Sequence, residues 1–450
     1  MTDRRKGLII GILLSCLLLT GIFLFKWTKL NVRNVPTTVT VCGAEYELSV
    51  SEIDLSGREL SGDVEELLKL TRLKYADLTD TRITPEQYDT IHSALPDCSI
   101  VWSVPVGGEY YPSTVENLTL SPHISLSELK NIRYFTRLKR LDASGYPLCD
   151  GLFEATEPFR QPDSGCLCVF SGKLYGCPIS EATDRFDFSS QKITDVSEFY
   201  NVLRFFPNVR EIYLGDISVP DEDVDRLNKA FPDISIVWLV EFAKWQVRTD
   251  IRVFSTLVGK IQLMTYDEKE LFPLLAYCTE LRALDLGHNH MSDISLIGNL
   301  TKLEVLILAE NKMNTIEPLG NLTKLHFLEI YNCQNVDDLS PLSNCTELEN
   351  LMIYNDGDLR NVRALASCRK LKLLYAGFVN PVDYSWDLLK KELPDCVIDK
   401  HTYVTEGVWR NSRKGKAVRY AFSNWKKIQR YNHWDDFTVG KTEVVGRKIK

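Results

Sequence analysis

Two groups of side chains have residue types that bind metals or form disulfides. The first is His288 and His290, which flank Asn289 and precede Asp293. Imidazole and carboxylate are common ligands of transition metals. Both histidines, however, stand at the end of a predicted strand, where their side chains should face solvent. We therefore predict no metal site at this position.

The second group is a cluster of cysteines in a loop-like region. Its members are Cys149, Cys166, Cys168 and Cys177. Outside the cytoplasm these thiols could form a disulfide. A zinc site is the less favoured alternative, because the C-x-x-C spacing of many zinc sites does not occur among them. Their disulfide state stays open at this stage.

Motifs of catalysis are missing from the sequence. It contains no G-x-S-x-G, no P-loop and no H-E-x-x-H, which are the short motifs with the clearest catalytic mechanisms. We therefore predict no catalytic residues, no cofactor and no enzymatic activity.

The histidine pair belongs to a segment that repeats. The first copy is Leu281-Arg-Ala-Leu-Asp-Leu-Gly-His-Asn289, and four further copies follow at intervals of 22 or 23 residues. The leading leucines are Leu281, Leu303, Leu325, Leu348 and Leu371. One such turn cannot bury its apolar edge alone, so the copies must stack. Cys278, Cys345 and Cys368 precede three of these leucines at one equivalent position, which predicts small, buried, apolar fillers.

The L-x-x-L-x-L spacing, followed by Asn or Cys, resembles leucine-rich repeats. The segments that follow the predicted strands, such as Ile316-Glu-Pro-Leu319 and Asp338-Leu-Ser-Pro-Leu342, are similar to the internalin-type repeat of bacterial cell-envelope proteins. The resemblance implies a parallel inner sheet, short 3₁₀ outer segments and a binding role. It does not identify a ligand.

A longer repeat precedes this array. Aromatic landmarks at Tyr46, Tyr110, Tyr175 and Trp245 are spaced by 64, 65 and 70 residues. Pro96-Asp-Cys-Ser-Ile-Val-Trp102 recurs as Pro232-Asp-Ile-Ser-Ile-Val-Trp238, with a looser copy from Pro162 and a truncated one from Pro394. In each copy, Pro-Asp should end an outer helix and precede an inner strand.

We therefore predict an α/β solenoid of the leucine-rich repeat horseshoe type, with a parallel concave sheet and a helix or 3₁₀ outer face. Each long module should contain about three strand turns. The array should run unbroken from residue 38 to residue 400, with about 14–16 parallel strands along one edge.

The N-terminus predicts one transmembrane helix. The segment 1–6 is short and basic, and residues 8–25 carry no charge. A helix of that length is about 27 Å long and can cross a bilayer core of about 30 Å. Lys26, Trp27 and Lys29 follow, as is typical at a membrane interface. We favour an uncleaved signal anchor with the repeats outside the cytoplasm, in a single-pass cell-membrane protein.

Two alternatives to the anchor remain open. One is a cleaved signal peptide, although no A-x-A-like site follows Phe25,. The other is lipidation at Cys16, although the apolar run continues beyond that cysteine.

Charge is distributed unevenly along the chain. Residues 34–400 carry 35 Lys and Arg against 56 Asp and Glu, whereas residues 401–450 carry 12 against 4. Phosphate repulsion makes nucleic acid an unlikely partner of the acidic part. Within the basic part, Ala421, Phe422 and Trp425 lie at helical spacing and predict an amphipathic helix. This helix is predicted to cap the last repeat, with contact to a membrane or anionic polymer through 405–450 as the alternative.

The strand residues that flank the inward leucines should face solvent on the concave side. In the regular repeats many of them are aliphatic or aromatic, and two acidic residues lie beside them. Such patches are typical of protein-binding sites. The predicted ligand-binding residues are Asp285, Val305, Ile307, Phe327, Glu329, Tyr331, Met352, Tyr354 and Tyr375. The alternative is that the C-terminal tail folds back over this patch.

The predicted organisation has six parts. They are a basic tail (1–7), a transmembrane anchor (8–25), a linker (26–37), long-module repeats (38–260), regular repeats (261–400) and a basic C-terminal cap or tail (401–450). The predicted function is non-catalytic binding of a protein or peptide by the concave sheet. The alternative is a structural envelope protein that contacts anionic wall polymer or membrane through its tail.

Overall fold

A computed structural model of the chain describes residues 37–256, 266–333, 335–353, 359, 362–379, 385–400, 413–423 and 425. The predicted membrane helix at 8–25 lies outside these residues, as does most of the C-terminal tail. In the described part, no helix has the length and apolar character needed to cross a membrane. The chain divides into two compact units, with the boundary between Glu181 and Ala182.

The first unit consists of short strands that alternate with short outer helices. The strands are β1 (Thr38–Val41), β2 (Ala44–Glu47), β3 (Glu52–Asp54), β4 (Tyr75–Leu78), β5 (Ser99–Val106), β6 (Glu109–Pro112), β7 (Asn117–Thr119), β8 (Arg140–Asp142), β9 (Leu167–Val169), β10 (Ser171–Leu174) and β11 (Cys177–Ser180). The α-helices are Val64–Leu67, Pro85–Ala94, Leu126–Leu129 and Asp150–Ala155. The 3₁₀ segments are Lys130–Tyr134 and Glu157–Phe159.

The second unit continues the same alternation. Its strands are β12 (Arg185–Asp187), β13 (Glu211–Gly215), β14 (Ser235–Phe242), β15 (Trp245–Arg248), β16 (Val253–Ser255), β17 (Ala283–Asp285), β18 (Val305–Ile307), β19 (Phe327–Glu329), β20 (Asn350–Met352), β21 (Leu373–Tyr375) and β22 (Val397–Asp399). The α-helices are Ser197–Val202, Asp221–Ala230, Phe272–Tyr277, Ser385–Glu392 and Arg413–Ser423. The 3₁₀ segments are Leu203–Phe205, Ser295–Asn299, Glu317–Asn321, Ser340–Asn344 and Arg363–Ser367.

Parallel pairing dominates both units, but the strands form several sheets. In the first unit, β3–β4–β5 and β7–β8–β9 are groups of three parallel strands. In the second unit, β12–β13–β14 form a third group and β16–β22 form a parallel sheet of seven strands. The prediction of three strand turns per long module is therefore confirmed. The prediction of one unbroken edge of parallel strands is wrong.

Antiparallel hairpins cause these breaks. The third strand of a module can extend beyond its parallel neighbour, as β5 and β14 do with eight residues each. The second half of β5 pairs antiparallel with β6, and that of β14 pairs antiparallel with β15. Because its backbone groups are satisfied by the hairpin, such a strand end does not pair with the next module's first strand.

The hairpin turns also explain the aromatic landmarks. The two turn residues have positive φ at Cys42–Gly43 (51° and 73°), Gly107–Gly108 (65° and 81°) and Tyr175–Gly176 (47° and 81°). Two-residue turns of this kind match the twist of the flanking strands. The landmark Tyr175 therefore lies in a turn, whereas Tyr46 and Tyr110 lie in strands β2 and β6. The sequence alignment of Tyr175 with Tyr46 and Tyr110 was therefore wrong by a few residues in the third module.

The Pro-Asp motif marks an inner strand in all four copies. The strands that follow Pro96, Pro162, Pro232 and Pro394 are β5, β9, β14 and β22. The helix Pro85–Ala94 ends just before the first copy, and Asp221–Ala230 ends just before the third. Both predicted helix boundaries are confirmed within one residue.

In the regular repeats, a ladder of side chains joins successive turns beneath the sheet. The amide of Asn311 donates to the Leu286 and Leu308 carbonyls, both at 2.9 Å, and its oxygen accepts from the Met291 N–H at 3.1 Å. One turn earlier, the amide of Asn289 donates to the Leu286 carbonyl and the Thr256 hydroxyl, and its oxygen accepts from the Tyr266 N–H. Cys333 takes the position one turn later. The predicted inward ladder and the predicted 3₁₀ outer segments are confirmed.

The two best copies of the Pro-Asp motif differ in how the final Trp is bonded. The indole N–H of Trp238 donates to the Asp221 carboxylate at 2.8 Å. In the first copy the helix begins with Pro85, which has no acceptor side chain. The equivalent indole N–H, in Trp102, is buried and has no hydrogen-bond acceptor among the described residues.

This difference predicts a stability effect at Asp221. Replacing Asp221 by Ala leaves the buried indole of Trp238 without its acceptor and should cost about 1–3 kcal/mol of unfolding free energy. Asp221→Asn keeps an acceptor oxygen and should cost much less. Urea titration of both variants at one pH makes the comparison. Equal losses in both variants would mean that the hydrogen bond is not the cause.

The contribution of Asp221 to the unfolding free energy should also depend on pH. Burial raises the pKa of the Asp221 carboxyl, helped by Glu222 and Glu241 and opposed by the hydrogen bond from Trp238. Folding therefore favours the protonated form. The stability from this group is present below the unfolded pKa of about 3.9 and is lost as the pH rises through the folded pKa. Asp221→Asn should remove this part of the pH profile.

Candidate binding surface

The seven strands β16–β22 align their residues in register across the sheet. The middle residue of each strand faces the core, so its two neighbours point to the inner face. The first inner column is Val253, Ala283, Val305, Phe327, Asn350, Leu373 and Val397. The second inner column is Ser255, Asp285, Ile307, Glu329, Met352, Tyr375 and Asp399. The predicted strand residues therefore lie side by side.

The predicted solvent exposure of this surface is wrong. Most of the predicted residues are buried, and Phe327 has no accessible surface at all. The buried ones are Asp285, Val305, Phe327, Glu329, Tyr331, Met352 and Tyr375. Ile307 is half-buried, and Tyr354 lies outside the described residues. Burial removes these side chains from direct contact with a partner in this conformation. Their role in ligand binding stays a prediction.

One described element that packs against this sheet is the C-terminal helix Arg413–Ser423. It lies against β16, and the ring of Trp425 contacts the ring of Phe254 with centroids 4.7 Å apart. Ala417, Ala421 and Phe422 of this helix are buried. The tail therefore folds back onto the seven-stranded sheet. The predicted position over the last repeat is wrong, because β16 is the first strand of that sheet.

The amphipathic character predicted for the C-terminal helix is confirmed. Ala421, Phe422 and Trp425 form its buried side, whereas Lys416 and Arg419 are exposed. The basic residues after 425 lie outside the described part of the chain. Contact of the tail with an anionic polymer therefore stays a prediction.

The inner face becomes more open toward the last strand. The first column is fully buried from β16 to β19, but Asn350 and Leu373 are half-buried and Val397 is 60% exposed. These three residues are adjacent in register, so they form one open strip. The sequence comparison missed Val397. The truncated Pro394-Asp motif marked its strand and could have added it as a further rung.

The buried carboxylate of Asp285 has a structural role. It accepts from the Ser255 hydroxyl at 3.1 Å and from the Gly287 N–H at 3.1 Å. Asp residues at the same strand position also accept from the backbone N–H two residues later. They are Asp54, Asp77, Asp142 and Asp187, at 2.9–3.1 Å. This recurring Asp ends each strand with a local turn and was not noticed in the sequence.

Charged side chains also connect neighbouring turns beside the strands. Arg282 contacts Glu304 at 2.7 Å, and Lys372 contacts Glu349 at 2.9 Å. Glu304 is almost fully buried, which makes its ion pair with Arg282 costly to break on one side only,. These pairs favour correct stacking of neighbouring turns.

The histidine pair has a local partner. The Nδ1 atom of His288 lies 2.7 Å from a carboxylate oxygen of Glu310 in the next turn. Within the part of the chain that the structure describes, no group of His, Cys, Asp and Glu residues has a geometry that could hold a metal ion.

The repeat cysteines are buried in the core. Cys278, Cys345 and Cys368 have no accessible surface, as predicted for apolar fillers. The Cys345 thiol donates to the Leu319 carbonyl at 3.4 Å, and burial raises its pKa to about 12. The cysteines of the first cluster are only partly buried, Cys149, Cys166 and Cys168 are free thiols, and burial raises the pKa of Cys168 to about 12.

The repeat geometry can now be compared with known proteins. A family model described as leucine-rich repeats (2 copies) matches residues 279–321 and 301–344. These residues contain the strand, ladder and 3₁₀ turn described above. Residues 279–344 of this chain are therefore leucine-rich repeats. The predicted resemblance to leucine-rich repeats of the internalin type is confirmed, and comparison with curated sequences gives no significant match.

Solved leucine-rich repeat structures resemble parts of this chain. Internalin C2 of Listeria monocytogenes is 19% identical, with 51% of this chain and 87% of that chain covered and a TM-score of 0.28. An internalin of the same species, inlF, is 16% identical over 80% and 91%, with a TM-score of 0.28. A leucine-rich repeat protein of Leptospira interrogans is 15% identical over 78% and 90%, with a TM-score of 0.24. These low scores add nothing beyond the repeat itself.

Proposed function

We propose that this leucine-rich repeat protein is a non-catalytic binding protein that holds a protein or peptide partner on the inner face of β16–β22. Leucine-rich repeat proteins use such extended concave surfaces for binding. The observation that carries the proposal is the open strip of Asn350, Leu373 and Val397, which presents two aliphatic side chains where solvent-facing strand residues are normally polar,.

The open strip formed by Asn350, Leu373 and Val397 is the part of this face that a partner can reach directly. Two of its members are aliphatic, and Asp399 lies beside Val397 on the same strand. A partner segment with an apolar side chain and a flanking basic group fits this combination. The strip continues toward Phe327, which is buried.

A paired substitution tests the open strip. Leu373→Asp together with Val397→Asp places two charges where the partner's apolar side chain would lie. We expect at least about tenfold weaker partner capture, equivalent to about 1.4 kcal/mol. Capture by the immobilised full chain from extracts of the producing cell and its surroundings, quantified by mass spectrometry, provides the measurement.

A matched control uses the outer surface. Leu388 lies on the helix Ser385–Glu392 and is 37% exposed. Leu388→Asp should leave capture unchanged. If Leu388→Asp and the paired variant reduce capture equally, or if neither does, the inner face is not the binding surface.

The proposal includes attachment to a membrane by residues 8–25, with the repeats outside the cytoplasm. It is supported by the uncharged run of 18 residues between two basic flanks,. We expect the full chain to stay in the membrane fraction after an alkaline carbonate wash. A chain with Asp at positions 13 and 18 in place of leucine should be released, because a charge at the bilayer centre costs about 2.5–3.5 kcal/mol. Release of the unaltered chain would contradict the anchor.

A further inference from the structure

The C-terminal helix Arg413–Ser423 has an apolar face that is occupied by the body of the protein. Its buried residues are Ala417, Ala421 and Phe422, and Trp425 extends the same face by one turn. Their spacing places two small and two aromatic side chains along one side of the helix. Tyr420 is 55% exposed, so it belongs to the opposite, solvent-facing side.

The apolar face of the helix packs against the first strand of the seven-stranded sheet. The C-terminal helix packs against β16, and the Trp425 and Phe254 rings contact each other. Val253 and Ser255, the inner-face residues of β16, have no accessible surface. The β16 end of the sheet is therefore closed, whereas the β22 end has the open strip.

The helix lies far from the strand that it follows in sequence. From β22 back to β16 there are six strand spacings, or about 29 Å along a flat sheet. Residues 400–412 can span at most about 43–47 Å, which is sufficient for this return. A terminal cap would need no such return, because it would stack directly on β22.

An isolated helix of this length is marginally stable in water. Gly415 lowers its helix propensity further,. The helix is therefore held mainly by its few buried side chains, and its tether supplies an effective local concentration in the millimolar range. Such a segment can be displaced by a competitor with the same apolar face.

We propose that the β16 end of the sheet is a binding site for an amphipathic helix, and that residues 413–425 occupy it in cis. This site lies at the opposite end of the sheet from the open strip, so the inference goes beyond the proposed function. A partner with a helix bearing small residues at two successive turns, followed by aromatic residues, would bind when the C-terminal helix leaves. The chain's own helix then covers Phe254 and closes this edge of the sheet.

The test uses the full chain and a labelled synthetic peptide of residues 413–425. Phe422→Asp with Trp425→Asp should release the helix, and Tyr420→Asp is the control on its exposed side. Fluorescence anisotropy should show the peptide binding the released variant at least about tenfold more tightly than either the unaltered chain or the control, because the tethered helix no longer competes. Equal affinity for all three chains would overturn the proposal.

A second variant makes the test independent of folding defects. A protease site placed within residues 401–412 is cut after folding, so the helix is released without a change in its sequence. Hydrogen exchange at the Val253–Ser255 amides should rise after cutting and dilution, and fall again when the peptide is added. Unchanged exchange after cutting would overturn the proposal. Neither readout needs the unknown partner, so failure of partner capture at Leu373 and Val397 would not affect this result.

Discussion

Phe327→Ala is expected to lower the free energy of unfolding by about 3–5 kcal/mol, the range for removing a fully buried aromatic side chain. Phe327 has no accessible surface, although its strand position faces away from the leucine core. Its neighbours in register are Val305 and Asn350, so the deletion leaves a cavity between the strands and whatever covers them. Urea titration followed by circular dichroism measures the loss.

The size of this loss decides whether the inner face is buried. Substitutions on an open surface change stability by about 0.5 kcal/mol or less. Leu388→Ala on the outer helix provides the matched control and should stay near that limit. A cost below about 1 kcal/mol for Phe327→Ala would contradict the burial and restore the predicted open surface.

Asn311→Ala is expected to cost a similar amount, about 3–5 kcal/mol, since each buried backbone group left without a partner costs about 1–3 kcal/mol. The side chain of Asn311 satisfies three backbone groups, namely the Leu286 and Leu308 carbonyls and the Met291 N–H. Leu286 and Met291 belong to the preceding turn and Leu308 belongs to the turn of Asn311 itself, so the loss should uncouple the two turns as well as weaken one.

The next turn of the ladder supplies the control. Cys333 occupies the equivalent position, and its thiol lies 3.5 Å from the Leu308 carbonyl. Asn311→Cys should therefore cost less than Asn311→Ala, because a thiol still donates a weak hydrogen bond. If both variants are equally destabilised, a thiol at this position does not replace any of the ladder hydrogen bonds.

The local elements of the fold follow from sequence because short-range chemistry determines them. Thr84 and Gln87 form a reciprocal capping box at the start of the helix Pro85–Ala94,. The repeat spacing of Leu281 and Leu303 fixes the register of β17 and β18. The inward leucines and the ladder asparagines have no alternative positions in a stacked turn.

The position of the C-terminal helix depends on a contact that sequence spacing does not encode. The helix packs against β16, which lies about 160 residues earlier in the chain, and no period connects the two. An amphipathic helix was predicted at Phe422 and Trp425, but the strand against which it packs could not be identified from one sequence. The predicted apolar side chains in the inner columns were a hint that this surface is covered. They are Val305, Ile307, Phe327, Met352 and Tyr375.

The hairpins illustrate a second limit. The extra length of β5 and β14 appears in the sequence as Ser99–Val106 and Ser235–Phe242, yet the repeat period alone predicts strands of uniform length. The turn chemistry at Gly107–Gly108 marks the hairpin more reliably than the aromatic spacing does, because positive φ at two successive residues demands such residues,.

Site-specific photo-cross-linking shows which face of the protein its partner binds. A photoreactive amino acid is placed at Val397 on the inner face or at Leu388 on the outer helix, and the full chain is irradiated in the cell that produces it. We expect covalent adducts with one protein or peptide partner from position 397, and none above background from position 388. Adducts of that partner from position 388, with none from position 397, would contradict binding by the inner face.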